Sequence, residues 1–182
     1  PQWIWAAPGA EKKARPGSVT FQRIITLPEA PATAWLTMAA DDFKTLVING
    51  AKVGPPGRRN STAVEGIDAT THFHAGDNTV EVTVVNLPPG TTDTAVPETL
   101  TPAYDTPAGL LLYARIRGAD GGVMDVVSDP SWAVIANDQP GKAAVALGDV
   151  NLAPWKIGPY FIDVAAAPET TLPVQRASLV AA

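Results

Sequence analysis

The 182-residue sequence contains no cysteine and little charge. Without thiols the chain forms neither disulfides nor thiolate metal centres, and it has no cysteine nucleophile. It carries 13 Lys and Arg against 18 Asp and Glu, a formal net charge of -5. A nucleic-acid ligand requires a basic surface that displaces phosphate counterions, and the longest basic cluster is Lys12, Lys13 and Arg15. We therefore expect no nucleic-acid partner.

Long apolar runs and familiar catalytic motifs are also missing. Gly, Pro, Asp and Thr interrupt every apolar stretch well before the roughly 18 residues of a membrane-spanning helix, so we expect no membrane insertion. The chain has no Gly-x-Ser-x-Gly elbow, no phosphate-binding loop and no His-Glu-x-x-His motif. Its carboxylates mostly lie beside Gly, Asn, Pro or Thr, where an Asp side chain caps a turn. These absences favour a domain that is not an enzyme.

Turn residues punctuate the whole chain, with 15 Gly and 18 Pro separating short alternations of apolar and polar residues. This pattern is typical of an antiparallel β-sandwich, and no segment sustains a helical period. We predict an all-β fold of about nine strands with little helix. The predicted strands cover residues 18–27, 34–40, 43–53 with a turn at Asn49-Gly50, 79–85, 109–117, the residues leading to Val127, 132–136 and 157–164.

Two segments do not read as strands. Residues 87–107 are rich in Pro and Thr and predict a long inserted loop. Residues 165–182 are rich in Ala, Pro and Thr and predict a solvated tail or a linker. We therefore expect one β-sandwich module over residues 1–164, followed by this tail.

The two histidines are a weak candidate metal site. His72 and His74 would point to the same face of a strand, and Asp68 could supply a third ligand. Two imidazoles without a positioned third ligand bind a metal poorly. We favour surface histidines beside the turn at residues 75–78.

The five tryptophans fall into two groups. Four of them lie in strand-like segments and are expected in the core or covering a sheet: Trp3, Trp5, Trp35 and Trp132. Trp155 lies in the proline-flanked sequence Ala-Pro-Trp-Lys, where we expect an exposed ring. Together with Tyr104 in the inserted loop, Trp155 is a candidate for stacking on a sugar.

The order of the segments carries a resemblance. They are Trp3-Ile4-Trp5, Val19-Thr20-Phe21-Gln22-Arg23, Ala34-Trp35-Leu36-Thr37-Met38-Ala39-Ala40-Asp41-Asp42, Val47-Ile48-Asn49-Gly50, Gly76-Asp77-Asn78-Thr79-Val80-Glu81-Val82, Pro107-Ala108-Gly109-Leu110-Leu111 and Ser128-Asp129-Pro130-Ser131-Trp132. From about residue 3 to 163 the chain resembles the galactose-binding-domain-like β-sandwich. It is most similar in order to the accessory module of α-L-rhamnosidases and other large secreted bacterial proteins. The resemblance implies a jelly roll of two antiparallel sheets.

The resemblance also implies a site. Rhamnose-binding members hold a sugar at a calcium ion, and the positions that match their ligands are Asp41, Asp42, Asn86 and the carbonyl of Pro107. Calcium prefers carboxylate, amide and main-chain oxygens, and adjacent Asp residues in a turn can both reach one ion. From the residues alone, Asp41 and Asp42 equally fit a capped hairpin turn. The candidate sugar contacts are Asp41, Asp42, Tyr104 and Trp155.

The leading functional prediction is a non-catalytic carbohydrate-binding module with this calcium-linked site, belonging to a larger extracellular or periplasmic protein. Its partners would be a glycan or small sugar and the neighbouring domains of the parent chain. The alternative is a structural β-sandwich that packs against neighbouring domains or subunits without a small ligand. The inserted loop and the linker-like tail motivate this second prediction.

Overall fold

The fold consists of two antiparallel sheets packed face to face. The computed structural model describes residues 1–54, 64–90, 105–136, 139–159 and 161. The strands are β1 (Trp3–Trp5), β2 (Gly17–Leu27), β3 (Thr33–Asp41), β4 (Phe43–Ile48), β5 (Ala51–Val53), β6 (Glu65–Asp68), β7 (Gly76–Asn86), β8 (Gly109–Arg117), β9 (Val123–Val127), β10 (Ala133–Ala136), β11 (Gln139–Ala143) and β12 (Val145–Gly148). One 3-10 turn spans Thr70–His72. The predicted all-β sandwich with little helix is confirmed.

Within the described residues, each sheet contains six strands. The first has the order β12-β1-β8-β3-β6, with β9 also paired to β8, and the second has the order β11-β10-β2-β7-β4-β5. β2 and β7 pair along their whole length, from Gly17 opposite Asn86 to Leu27 opposite Gly76. β8 pairs with β3 from Gly109 opposite Asp41 to Arg117 opposite Thr33. These long ladders fix which loops meet at each end of the sandwich.

The predicted turn at Asn49-Gly50 is confirmed as the β4–β5 hairpin. Both residues have positive φ, 51° and 80°, as a tight two-residue hairpin requires. The alternation of β7 is confirmed as well, because Val80, Val82 and Val84 are buried while the residues between them are partly exposed.

The main core lies between the sheets. It joins large buried side chains of both sheets, including Phe21, Leu46 and Ile48 from the second sheet and Leu36, Leu110 and Leu112 from the first. One ion pair also crosses this space, because Lys44 of β4 extends to Glu65 of β6 with 3.2 Å between Nζ and Oε2. Burial lowers the pKa of Lys44, and the attraction of Glu65 partly offsets that effect.

A second apolar cluster covers the outer face of the first sheet. Trp3, Ala39 and Leu111 of the sheet pack there against Trp155, Ile157 and Phe161 of the C-terminal segment. This packing explains one wrong prediction, the strand over residues 157–164. Gly158, Pro159 and Phe161 are helical, and the N–H of Phe161 donates to the carbonyl of Ile157 at 2.9 Å.

Proline explains why this segment is not a strand. Pro159 has no N–H for a sheet ladder, but proline fits the first turn of a helix. Residues 162–164, most of the predicted inserted loop (91–104) and the predicted tail lie outside the described residues, and the proposed domain boundary remains a prediction. Among the described residues, no helix is long and apolar enough to cross a membrane.

Candidate functional site

Four chain segments meet at one end of the sandwich. β3 ends at Asp41, β4 begins at Phe43, β7 ends at Asn86 and β8 begins at Gly109. The N–H of Asp42 donates to the carbonyl of Val85 at 3.0 Å, and Asp41 is paired with Gly109. The sheet pairings therefore bring the predicted residues Asp41, Asp42, Asn86 and Pro107 to the same end, which we call the aspartate end.

Asp42 links two of these segments. Its Oδ2 accepts the N–H of Leu87, the residue that follows β7, at 2.8 Å, and its own N–H donates to the carbonyl of Val85 in β7. A carboxylate that accepts a main-chain N–H in a turn is held in one orientation. Asp42 is partly exposed, so this fixed carboxylate lies at the surface of the aspartate end.

Asp41 is held by Trp155. Its side chain is largely buried, with 9% of the residue exposed, and its Oδ2 accepts the indole Nε1–H at 2.9 Å. The indole in turn stacks on Trp3, with 4.0 Å between ring centroids and 23° between planes. The stacked rings of Trp3 and Trp155 therefore orient the Asp41 carboxylate through the indole hydrogen bond.

The expectation that Trp155 is exposed is wrong. Only 4% of the residue is accessible, because the proline-flanked segment folds back onto the outer face of the first sheet. Its ring lies against Trp3 and above Gly109, so in this arrangement it positions Asp41 and has no open face for a sugar. Tyr104, the other predicted stacking residue, lies outside the described residues.

Asn86 acts as a brace between segments. It is fully buried, and its Nδ2 donates to the carbonyls of Ala14 and Arg15, each at 3.1 Å. The Thr106 hydroxyl donates to its Oδ1 at 2.8 Å. Ala14 and Thr106 also exchange both main-chain hydrogen bonds, at 2.8 and 3.0 Å. Asn86 therefore fixes the N-terminal segment and the approach to β8 at the aspartate end.

The donor set can be tested against the calcium ion that the resemblance implies. Carboxylate, amide and main-chain oxygens are the ligands calcium prefers, and the aspartate end offers all three. Asp105, two residues before Pro107, adds a buried Oδ1 that has no hydrogen-bond partner within the described residues. However, no three His, Cys, Asp or Glu side chains of the described ranges form a metal-binding group. The oxygen atoms available are therefore of the types that calcium binds, but main-chain carbonyls and water would have to complete its coordination shell.

Asp105 was not predicted from the sequence. It stands in a Pro/Thr-rich stretch with many polar residues, and nothing in the local pattern distinguishes it from a turn-capping Asp. Its position becomes informative only through the contacts of Thr106, which places the neighbouring backbone against Ala14 and Asn86.

The histidines lie at the surface, but not on a strand. His72 ends the 3-10 turn, His74 is exposed and buried Phe73 separates them, so the predicted common strand face is wrong. Asp68, the suggested third ligand, accepts the N–H and hydroxyl of Thr70 at 3.0 and 2.6 Å. These two hydrogen bonds lower the pKa of Asp68. This arrangement is a capped turn.

The other tryptophans follow the prediction. Trp3, Trp5 and Trp132 are buried, each with at most 5% of the residue exposed, and Trp35 is partly buried on β3. Trp5 and Trp132 belong to the core between the sheets, and Trp3 belongs to the outer cluster.

Comparison with known proteins supports the same architecture. No family model matches the chain. An α-L-rhamnosidase of Streptomyces avermitilis is 26% identical over 138 residues, which cover 71% of this chain and 12% of the enzyme. A crystal structure of Streptomyces avermitilis α-L-rhamnosidase complexed with L-rhamnose superposes with a TM-score of 0.68 at 22% identity, covering 86% of this chain and 15% of that one. A lectin of Pleurotus ostreatus in complex with GalNAc gives a TM-score of 0.66 at 26% identity, covering 86% of this chain and 44% of the lectin.

The fold is the galactose-binding-like β-sandwich. The predicted similarity to a module of α-L-rhamnosidases is confirmed by both sequence and structure. The matched region is a small part of each enzyme, 12% and 15% of its length. The galactose-binding-like sandwich of this chain therefore corresponds to one part of those larger proteins.

Proposed function

We propose that the chain is a non-catalytic carbohydrate-binding module of a larger extracellular or periplasmic protein. The observation that carries the proposal is the aspartate end, where the sheet pairings bring Asp41, Asp42, Asn86 and Pro107 to one end of the sandwich. The structural similarity to a lectin in complex with GalNAc supports a sugar as the ligand. The small share of the rhamnosidases that this fold represents supports a module that accompanies an enzyme.

In this proposal the aspartate end holds calcium and, through it, a sugar. Asp41 and Asp42 would supply carboxylate oxygens and Pro107 its carbonyl, with Asn86 Oδ1 and Asp105 Oδ1 nearby. A bound calcium ion would offer coordination positions to two neighbouring hydroxyls of a pyranose. Trp155 would keep Asp41 in position through its indole N–H, and Leu87 would do the same for Asp42. Tyr104 remains a proposed ring contact.

The test is calorimetric titration of the protein with L-rhamnose, galactose and GalNAc, with calcium and after chelation. Binding should require calcium and should be lost in Asp42→Asn, which keeps the shape of the side chain but removes its charge. A matched control is Asp120→Asn, in the turn at the opposite end of β8, which should bind like the parent. Sugar binding that survives both chelation and Asp42→Asn would contradict the calcium-linked site.

Thermal stability gives a second readout of the same binding. A ligand present at about a hundred times its Kd adds about 2.7 kcal/mol to the free energy of unfolding. At roughly 2–4 °C per kcal/mol, this corresponds to a rise in Tm of about 5–11 °C for a chain of this length. No rise with any sugar, in the presence of calcium, would count against the carbohydrate-binding function.

A second candidate function is packing against a neighbouring domain. At the end opposite the aspartate end, the strand β9 exposes Val123 and Met124, with 48% and 38% of each residue accessible. They border a groove of about 200 Å³ beside Leu27 and Ile116. Exposed apolar residues next to a groove can form an interface. Failure of every sugar titration, together with weaker association of the parent chain's domains in Val123→Ser/Met124→Ser, would favour this function.

A further inference from the structure

β9 is an edge strand with a partner on one side. It pairs with β8, and within the described residues no other strand pairs with it. In an antiparallel ladder, directly opposite residues alternate between pairs that exchange main-chain hydrogen bonds and pairs that do not. The N–H of Ser128 donates to the carbonyl of Leu112 at 2.8 Å, at one end of the β8–β9 ladder. At the other end, the N–H of Gly118 donates to the carbonyl of Gly122 at 2.9 Å. These two bonded pairs fix the alternation between them.

The alternation directs the main-chain groups of Val123, Asp125 and Val127 away from β8. The carbonyl of Val127 shows this direction, because it accepts the Nε1–H of Trp132 at 2.8 Å. The N–H groups of all three residues, and the carbonyls of Val123 and Asp125, have no hydrogen-bond partner within the described chain. We call this row of unpaired groups the β9 edge.

The β9 edge lacks the usual protection against pairing. Edge strands commonly carry Lys, Pro or a bulge, whereas β9 has the sequence Val-Met-Asp-Val-Val and a regular ladder with β8. Its one charge is held on the sheet, because Asp125 Oδ1 accepts the Tyr113 hydroxyl and Arg115 Nε–H, each at 2.9 Å. Val123 and Met124 are exposed. The strand is therefore accessible to an added strand.

An apolar groove of about 200 Å³ lies beside the β9 edge. Met124 and Ile116, which lie opposite each other on β9 and β8, line it together with Leu27 from the end of β2. Side chains of directly opposite residues share one face of a sheet. The residue of an added strand that lies opposite Met124 therefore points towards this groove. The groove is smaller than the roughly 300–1,000 Å³ of small-molecule sites, and it suits a single apolar side chain.

Two carboxylates give the groove an acidic end. Glu29 and Asp120 line it, and main-chain N–H groups of the β8–β9 turn hold them at 2.9 and 2.8 Å. Neither has a Lys or Arg within ion-pair distance in the described part of the chain. Gly122 also lines the groove and lies two positions from Met124, on the same face. The residue of an added strand that lies opposite Gly122 therefore meets these carboxylates.

We propose that the β9 edge binds an extended segment of a partner protein by antiparallel strand addition. The segment has an apolar residue opposite Met124 and, two positions later, Lys or Arg opposite Gly122. In this mode of recognition main-chain hydrogen bonds supply affinity, and side chains that enter pockets supply specificity. A second copy of β9 does not match the edge, because the strand contains no cation for Glu29 and Asp120.

The inference is independent of carbohydrate binding. It rests on the second candidate function, docking at the end opposite the aspartate end, and gives that function a binding mode and a partner chemistry. Its test titrates the protein with the N-acetylated, C-amidated peptide Thr-Thr-Leu-Thr-Lys-Thr-Thr and follows amide hydrogen exchange by NMR.

Hydrogen exchange reports the strand addition residue by residue. Without peptide, the amides of Met124 and Val126, which face β8, should be protected, and those of Val123, Asp125 and Val127 should exchange freely. At saturation with peptide, exchange of these last three amides should slow by about tenfold or more. Unchanged exchange of the three amides at about millimolar peptide would overturn the inference.

Changes in the peptide test the two parts of the recognition without altering the protein. Replacing the peptide Lys by Glu should weaken binding about tenfold, because Glu meets the acidic end of the groove. N-methylation of the two Thr residues that flank Leu removes the N–H groups that face β9 and should abolish binding. Binding that survives this N-methylation would overturn strand addition.

Variants of the protein test the groove. Met124→Lys should weaken binding of the Lys peptide about tenfold by placing a second cation there. The matched control is Ile24→Lys, which adds the same charge at an exposed position of β2 outside the groove and should bind like the parent. Glu29→Gln/Asp120→Asn should remove the preference for the Lys peptide over the Glu peptide. A preference that persists in this variant would overturn the role of the acidic end.

The outcomes separate this inference from the candidate functions. Protection of the three amides that rises with protein concentration in the absence of peptide, together with a dimer in sedimentation, would assign the edge to a second copy and overturn the partner segment. Absence of peptide binding, combined with weaker domain association in Val123→Ser/Met124→Ser, would overturn strand addition and leave domain packing in place. Neither result would alter the sugar titrations at the aspartate end.

Discussion

Replacing Gly109 with alanine is expected to destabilise the protein by displacing the stacked tryptophans. A Cβ at this position would lie 2.8 Å from Trp155 Cη2 and 2.8 Å from Trp3 Cε3. Optimal carbon–carbon contacts lie at about 3.5–4.0 Å, so at least one ring must move by about 1 Å. Because both rings are buried, neither can swing into solvent. Overpacking of this kind costs about 1–3 kcal/mol of unfolding free energy.

Calorimetry and urea unfolding measure this loss. At roughly 2–4 °C per kcal/mol, the Tm of Gly109→Ala should fall by about 2–12 °C. The control is Gly122→Ala, whose Cβ would contact only the flexible Asp120 side chain in an exposed turn. A Gly109→Ala protein within about 0.5 kcal/mol of the parent would refute the argument.

A double-mutant cycle tests the cause of the effect. Trp155→Phe shortens the ring that collides with the new Cβ, although it also removes the hydrogen bond to Asp41. The combined Gly109→Ala/Trp155→Phe protein should therefore lose less stability than the sum of the two single changes, by about 1 kcal/mol or more. Strictly additive losses would show that the collision with Trp155 is not responsible.

Three further predictions concern polar groups. Asn86→Ala should lower the free energy of unfolding in urea by about 3 kcal/mol, because it leaves buried carbonyl oxygens without a hydrogen-bond donor. An unchanged unfolding midpoint would contradict its role as a brace. Glu65→Leu should cost about 3 kcal/mol by leaving Lys44 buried without its partner, and adding Lys44→Met should recover most of that loss; no recovery would refute the ion-pair argument. Burial, reinforced by the hydrogen bond to Asp125, raises the pKa of Tyr113 to about 12. Its contribution to stability is therefore present below about pH 10 and lost as the pH rises towards 12, and the last tyrosinate absorbance step should vanish in Tyr113→Phe; persistence of that step would assign it elsewhere.

The long strands could be predicted because their local pattern agrees with their environment. β2 and β7 alternate apolar and polar residues and bury one face against the other sheet, so Phe21, Val82 and Val84 were identifiable from spacing alone. The Asn49-Gly50 turn was equally clear, since few other residue pairs adopt two positive φ angles easily.

The short strands and the C-terminal segment could not be predicted because distant contacts determine them. β6 and β12 have four residues each, too few to establish an alternation, and exist through pairing with neighbours. Residues 157–164 form a short apolar run, which is compatible with a strand, yet the outer cluster and Pro159 make part of this segment helical. A buried strand and a helical turn packed on a sheet both require a short run of apolar residues. The sequence pattern of such a run does not distinguish the two structures.

The same limit applies to the site. The resemblance proposed Asp41, Asp42 and Asn86 as ligand positions, and the strand pairings bring them to the same end of the sandwich. The hydrogen-bond partners of these residues could not be predicted from the sequence. Asn86 donates to carbonyls about 70 positions earlier, and Trp155, which donates to Asp41, lies 114 positions from it. A Trp beside a proline is equally compatible with an exposed ring and with a buried one.

The buried position of Trp155 changes how the aspartate end must be understood. Asp41 is oriented by a residue of the C-terminal segment, and that segment is held by its packing on Trp3, Leu111 and Ala39. The packing of the outer cluster and the orientation of the candidate ligand residue are therefore one energetic unit. A ligand that favours this orientation of Asp41 must also favour the docked segment, because binding and docking share the same hydrogen bond.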